Sequence, residues 1–456
     1  MSITDAQYDR WLSDLNARRV LLVEMEHSDG TEYVASSPYV SLPSDSDPNR
    51  LYNDVLVRAV DISTRIDGLI GFGELELVDD GELTSWRAFA WRGWPVRLYL
   101  GDPEWSRDDF RLLAHARNGG ISRATRGELI FIVEDNSSAL AEPIDTGRIP
   151  EAFGGGPVPL ALGHCYNTPT TRVSTQALTY RVSFLAIGTS PNPPVVKDNG
   201  VSVSMTVSGG TFTLNAPPAG VVTCDVKNSI NTPVAIVNWV ASRYGFSVAA
   251  ADLPAYEVGL YYDDEVSGAQ ILDDLCEGLG AYWHLNEANE LVVKQHTAPG
   301  TPEEWLADDD LTYGSVELIE TESPWRKLTL RWGRNHSVLS TVASSIIQNE
   351  PEEAVRLQSD WRESSATQAV PAYPLAEDVV RETPIQNATD AAAERDRLLA
   401  LRSVRREVWR AEAFFPRMDV GVTIGVLQAD LDGRPCVVKS INRSPTLEVT
   451  ELEIWL

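Results

Sequence analysis

With 456 residues, 43% hydrophobic and 23% charged, the chain has the balance of a folded soluble protein, and its length suits about three domains. Lysine plus arginine at 38 against aspartate plus glutamate at 66 leaves a formal charge of −28, which excludes a basic footprint for nucleic-acid phosphates. No apolar stretch of membrane-spanning length and no charged start before an apolar run occurs, so neither insertion nor export is expected.

Residues 5–19 place Trp11, Leu12 and Leu15 on one side, which predicts a short amphipathic opening helix. Short β-type runs follow at 20–24, 31–36, 55–61, 73–78, 95–99 and 128–133, punctuated by Asp29-Gly30, Asp67-Gly68 and Asp80-Gly81. An aspartate–glycine step supplies a positive φ at little cost, so each is a hairpin signal. Residues 1–145 are therefore expected to form a β-rich domain. Within it, the segment SWRAFAWRGW crowds Trp86, Arg87, Trp91, Arg92 and Trp94 together. Tryptophan and arginine are enriched at interface hot spots, which makes these five the candidate protein-interface residues. The alternative is that the aromatic side chains fill the core of a sandwich.

A glycine- and proline-rich linker spans 146–159 (TGRIPEAFGGGPVP), and a β segment spans 160–226, broken at 190–194 and at Pro217-Pro218. An α+β lobe is expected over 227–320. Its first helix, 232–244, carries Val234, Val237 and Val240 on the apolar side and Pro233 in its first turn. Its second begins near Ser267, with Ala269, Leu272, Leu275 and Leu279 at helical spacing, Asp273 and Asp274 on the wet side, and Gly278 and Gly280 as a stop. A hairpin comes next: Ala281, Trp283 and Leu285 alternate with Tyr282 and His284, 286–289 turn, and 290–294 return with Leu291 and Val293 on one face. A helix laid on a two-stranded ribbon leaves the sheet incomplete, so further strands must be recruited from elsewhere.

The last lobe is expected over 321–456. The stretch 303–311 before it is acidic and exposed; 315–322 and 325–332 are strands, the latter with Leu328, Leu330 and Trp332 on one face. Residues 337–383 lack a clean period and read as a loop-rich excursion. A helix over 387–408, capped by Asn387 or Thr389, has Ala391, Leu398, Leu401, Val404 and Val408 as its stripe, with Glu394, Arg395, Arg397 and Arg402 facing water. Strands at 420–426, 436–442 and 446–456 close the chain. The class is mostly β with α+β parts: a multi-domain chain of β-barrel or sandwich lobes around a helix-on-sheet middle.

The phosphate loop, dinucleotide turn, zincin helix and nucleophile elbow are all missing from the sequence. The six histidines form no ligand-like pair, and His164 beside Cys165 would point to the opposite face of a strand. Cys165, Cys224, Cys276 and Cys436 stand singly and read as buried thiols. The acidic runs 263–265, 273–274 and 308–310 match no calcium loop and read as solvated faces. No catalytic, cofactor-binding or metal residue is assigned, and no enzyme is expected.

Three groups of phrases carry a family resemblance. The helix end and hairpin, LCEGLGAYW followed by ELVVK, resemble the tail-tip and baseplate hub proteins of tailed bacteriophages. The ordered pair PLALGHCYN and GTFTLNAPPAG is similar to a pair found in tail proteins of long, flexible-tailed (siphovirus-like) phages, and FGELELVDDGELTSWRAFAWRGWPVRLYLGD looks like the opening domain of such proteins. The resemblance implies a structural virion protein assembled in the host cytoplasm: a homotrimer closing the tail tube, with repeated β-lobes matching a six-fold ring. Its implied partners are the distal tail ring and tube proteins on one side and a fibre or receptor-binding protein on the other, with DNA passing through unbound. Some relatives carry clustered cysteines for an iron–sulfur centre, which this chain lacks. Alternatives are a distal ring or adaptor protein, or a tail-borne glycan-binding or cell-wall hydrolase module; a glycan binder would expose an aromatic platform where a hub hides its aromatics.

Overall fold

The computed structural model describes residues 2–456 apart from 15, 67, 72, 80, 190–191, 415–417 and 447–448, with 68–71 described by backbone alone. Leu15, the aspartates of two expected turns and the start of the break at 190–194 lie outside the described residues. Thirty-two strands against six α-helices among the described residues make the chain mostly β, arranged in several sheets with α+β parts. The helices are α1 (Asp5–Leu12), α2 (Pro233–Tyr244), α3 (Gly268–Gly278), α4 (Ser344–Asn349), α5 (Pro351–Gln358) and α6 (Ala388–Leu401).

Helix α1 starts with a capping box, in which Thr4 Oγ1 accepts from the Gln7 N–H and Gln7 Oε1 accepts from the Thr4 N–H. It stops earlier than the spacing predicts because Arg19 donates to the Leu12 carbonyl at 2.9 Å, satisfying one orphan acceptor of the last turn. Tyr8 and Leu12 are its buried residues. The nine-stranded sheet that follows runs, in spatial order, Tyr39–Val40, Leu51–Asp54, Gly30–Ala35, Val20–His27, Pro95–Gly101, Arg111–Thr125, Gly127–Glu134, Glu74–Asp79 and Leu56–Arg58. The longest of these, Arg111–Thr125, has register breaks between Asn118 and Gly120 and between Ile121 and Arg123. Each extra residue moves later side chains to the other face, so the strict alternation that would betray a strand is erased.

One strand leaves this lobe. Ile62–Arg65 pairs antiparallel with Arg443 through Ser440 of the C-terminal sheet, beside the shorter strand Thr423–Val426 on the same edge of Pro435–Ser444. The eight-stranded sheet there continues through Val449–Trp455, Arg406–Ala413 and Glu317–Glu322. Segments almost 380 positions apart thus share one hydrogen-bonded ladder.

In the middle, Leu160–Pro169 lies between Val222–Lys227 and Gly259–Tyr262, so the β segment and the α+β lobe share a strand. Ser267 caps α3 by accepting from the Gln270 N–H, and Thr232 caps α2 in the same way from Ala235. Ile271, Leu272 and Leu275 of α3, and Leu279 that caps its end, are wholly buried with Ile236, Val237 and Val240 of α2; Ile236 faces the core, and Val234 only partly. The hairpin strands Ala281–Leu285 and Leu291–Gln295 pair from Ala281 with Gln295 to Leu285 with Leu291, and the recruited third strand is Val248–Asp252, parallel to the second.

The excursion 337–383 is more ordered than its composition suggests. It holds α4, α5 and the strands Arg362–Thr367 and Asp378–Glu382, which flank Lys327–Trp332 in a sheet beneath α6. Helix α6 itself ends at Leu401, where Arg406 donates twice to the Leu401 carbonyl. Val404 is therefore an exposed residue past its end, and Val408 is buried in the next strand.

Candidate functional site

The tryptophan–arginine cluster divides by burial. Trp86 and Trp91 are 4% and 3% exposed and sit in the core of the N-terminal lobe, not on its surface. The segment includes a 3-10 turn over Glu82–Ala88, and it folds Trp91 back so that its indole N–H donates to the Trp86 carbonyl at 2.8 Å. Trp91 then packs on the edge of Phe131, with His27 stacked on the adjoining Phe89. Arg87 is spent on Asp79, 2.9 Å away. Arg87 remains exposed although paired, and Arg92 and Trp94 are exposed as well, with Trp94 at 38%.

Two buried charge nodes, invisible to periodicity, hold the helices on their sheets. Glu394, expected in water, has no exposed surface. Both its oxygens accept from Arg397, at 2.7 and 3.0 Å, and Arg397 donates onward to the carbonyls of Leu279 and His296. The arginine therefore caps the end of α3 from α6. Arg395 and Arg402 are likewise engaged, with Asp396 and Ser364, and with Glu322. In the second node the buried Lys197 ammonium bridges Asp225 at 2.9 Å and Glu353 at 3.0 Å, while Tyr166 donates to Glu353 at 2.7 Å and the Arg356 guanidinium lies over the Tyr166 ring. This node seats α5 on the middle sheet, and Asn335 adds to it by donating to the Leu357 and Ser359 carbonyls at the helix end.

Two adjoining cavities open beside α3: one of about 560 Å³ where it meets the hairpin, α6 and the C-terminal sheet, and one of about 480 Å³ against Gly259–Tyr262 and the strands Lys327–Trp332 and Asp378–Glu382. Glu277 and Arg381 line both. Asp273 accepts from the Trp283 indole at 2.7 Å and Asp274 from the Tyr262 hydroxyl at 2.7 Å, so the wet side of α3 is half engaged. Burial, aided by Asp273 and Glu277, pushes the Asp274 carboxyl up against the pull of that hydrogen bond. His336, in the second cavity, is held neutral, its pKa lowered to about 3 by burial and by Arg334. These groups can stack, charge-pair and hydrogen-bond a ligand.

No family model matches the chain, and no curated protein matches it. Solved tail proteins resemble it along nearly its whole length. A 43 kDa prophage tail protein from Shewanella oneidensis superposes with a TM-score of 0.47 at 9% identity, covering 96% of this chain and 98% of that one. A tail protein from Neisseria meningitidis gives 0.46 at 10% identity over 95% and 96%, and a prophage tail protein from Listeria monocytogenes 0.44 at 9% over 95% and 94%.

The remaining chemistry-bearing residues are placed as structural groups. All four cysteines are buried free thiols; burial raises Cys165, Cys224 and Cys276 far above the usual range and Cys436 to about 12. His164 faces Glu257 on the side of its strand opposite the buried Cys165. Among the described residues no three metal-ligating side chains converge, and no helix is long and apolar enough to cross a membrane.

Proposed function

We propose that the chain is a structural virion protein, the hub at the distal end of a phage tail tube, and that it acts by assembly and not by catalysis. The observation that carries this reading is the pair of large, mainly antiparallel sheets, one from each end of the chain, tied together by the strand Ile62–Arg65. A chain whose two β-lobes are fastened in this way offers two ring-forming surfaces at a fixed spacing, so three copies present six lobes to a six-fold tube. Two of the family phrases lie in the middle of the chain between those lobes: PLALGHCYN is an inner strand of the five-stranded middle sheet, and LCEGLGAYW is the end of α3 and the first hairpin strand. Contacts with the distal ring and tube proteins above and with a fibre or receptor-binding protein below follow from such a position. Arg87, Arg92 and Trp94 are the exposed part of the tryptophan cluster that can enter one of them.

The formal charge of −28 suits a conduit that DNA must leave without sticking. Carboxylates on the lumen wall would serve this, as carboxylates on the outer face would serve solubility. Immunogold labelling of phage particles with an antibody raised against the chain tests the assignment. Gold is expected at the tail tip; label on the capsid, or unlabelled particles, would refute it.

A further inference from the structure

The groove formed by the two cavities has no part in the hub assignment. Its first cavity is walled by the partly exposed indoles of Trp283 and Trp325, its second by Tyr262 and Trp361, and Arg381 stands where they join. The Arg381 guanidinium lies over the Trp325 ring, its central carbon 5.1 Å from the centroid. Among the described residues its guanidinium makes no hydrogen bond and no ion pair within 4 Å, and the acids whose charge reaches it are Glu277 and Glu394. Of the neighbouring arginines, Arg402 is matched with Glu322 and Arg331 with Glu363 and Glu382, while Arg334 in the second cavity is stacked in the same way over Trp361, 5.4 Å from its centroid. A stacked guanidinium keeps its plane fixed and its edge donors open, which is the geometry that takes a carboxylate in two parallel hydrogen bonds.

We propose that this groove binds a carboxylate-bearing oligosaccharide. One sugar ring lies against the indole of Trp283, the sugar carboxylate pairs with Arg381, and ring hydroxyls donate to the spare lone pairs of Asp273 and Glu277. The wall has acceptors on one side and the forked donors of Arg381, with Arg334 further along, on the other, which matches a polyol that carries both hydroxyl donors and an acid. An acidic peptide matches it less well, because its side-chain carboxylates would meet Asp273, Asp274, Glu277 and Glu382 with few hydroxyls to offer in exchange.

Calorimetric titration of the full chain with uronate tetrasaccharides (hyaluronan, alginate and polygalacturonate), with neutral cellotetraose and with tetraglutamate tests the assignment. At least one uronate tetrasaccharide is expected to bind about tenfold more tightly than cellotetraose, and Arg381→Lys, which keeps the charge but removes the fork, should cost that advantage about tenfold. Trp283→Phe should weaken acidic and neutral sugars alike. Unchanged melting curves of both variants would show that the fold is intact. Equal affinity for acidic and neutral sugars, preference for tetraglutamate, no binding of any saccharide at millimolar concentration, or an Arg381→Lys protein that binds as before would each overturn it; none of these results bears on immunogold labelling of the tail tip.

Discussion

Glu394 lies on the side of α6 that a helical wheel assigns to water, yet no part of it is exposed. Spacing sorts residues by polarity, and it cannot register that an arginine three positions on will neutralise a carboxylate inside the fold. Glu394→Ala would strand Arg397 in a mostly buried site, and it should cost about 3 kcal/mol, seen as a lower urea midpoint. Leu275, fully buried in α3, was legible from spacing, and Leu275→Ala should cost roughly 2–5 kcal/mol by the same measurement. Asp273 and Asp274 look alike in sequence but differ in place. Asp273→Ala gives up one exposed hydrogen bond, whereas Asp274→Ala leaves the hydroxyl of Tyr262 without its acceptor, so Asp274→Ala is expected to be the more destabilising of the two, by about 1 kcal/mol. The lysine node adds a pH signature. Burial opposes ionisation of Glu353, but hydrogen bonds from Tyr166 and Lys197 outweigh it and hold its pKa below the usual value of 4.5. Its contribution is therefore complete above that unfolded-state value and is lost as pH falls through the lower folded one. Stability measured from pH 6 to pH 3 should drop less steeply in Glu353→Gln than in the parent chain; parallel curves would show that the node does not titrate as assigned.

At the level of elements, what announced itself locally was found, and what was specified by distant partners was not. Helices α2 and α3 carry their own caps and stripes, and the hairpin after α3 carries its own turn, with Asn289 in the left-handed region at φ 63. Strand Arg111–Thr125 hid behind its bulges, and α5 hid because Glu353 and Arg356 face a lysine and a tyrosine from another lobe. Two glycines read alike as a helix stop have different reasons. Gly280 adopts φ 49, but Gly278 is helical and is needed because a Cβ there would lie 2.3 Å from Pro384 Cδ. Gly278→Ala should thus lower stability by roughly 1–3 kcal/mol through crowding between α3 and the 378–384 segment, although alanine is the better helix former. The strand tying the two ends of the chain can be trapped covalently. Ser63 and Asn442 are register partners with side chains on one accessible face, so the variant Ser63→Cys with Asn442→Cys should form a disulfide on oxidation, read as faster migration on a non-reducing gel. Failure to cross-link would contradict the shared ladder.

For the whole molecule, the mostly β class with α+β parts followed from turn spacing and the helix signals. The stitching of the two end lobes did not, because pairing across almost 380 residues leaves no local trace in the sequence. That stitching matters most to the proposed role, since it fixes two β-lobes in one body. The negative balance, with 66 acids against 38 bases, predicts no retention of the chain on double-stranded DNA at physiological salt, by fluorescence anisotropy with a labelled duplex. The most direct test of the hub assignment is an averaged reconstruction of the tail tip of particles that carry this chain. Three copies around the axis are predicted, each contributing its two stitched β-lobes to one six-lobed ring against the tube. Six copies, each placing a single lobe in the ring, or a tip in which the chain has no density, would contradict it.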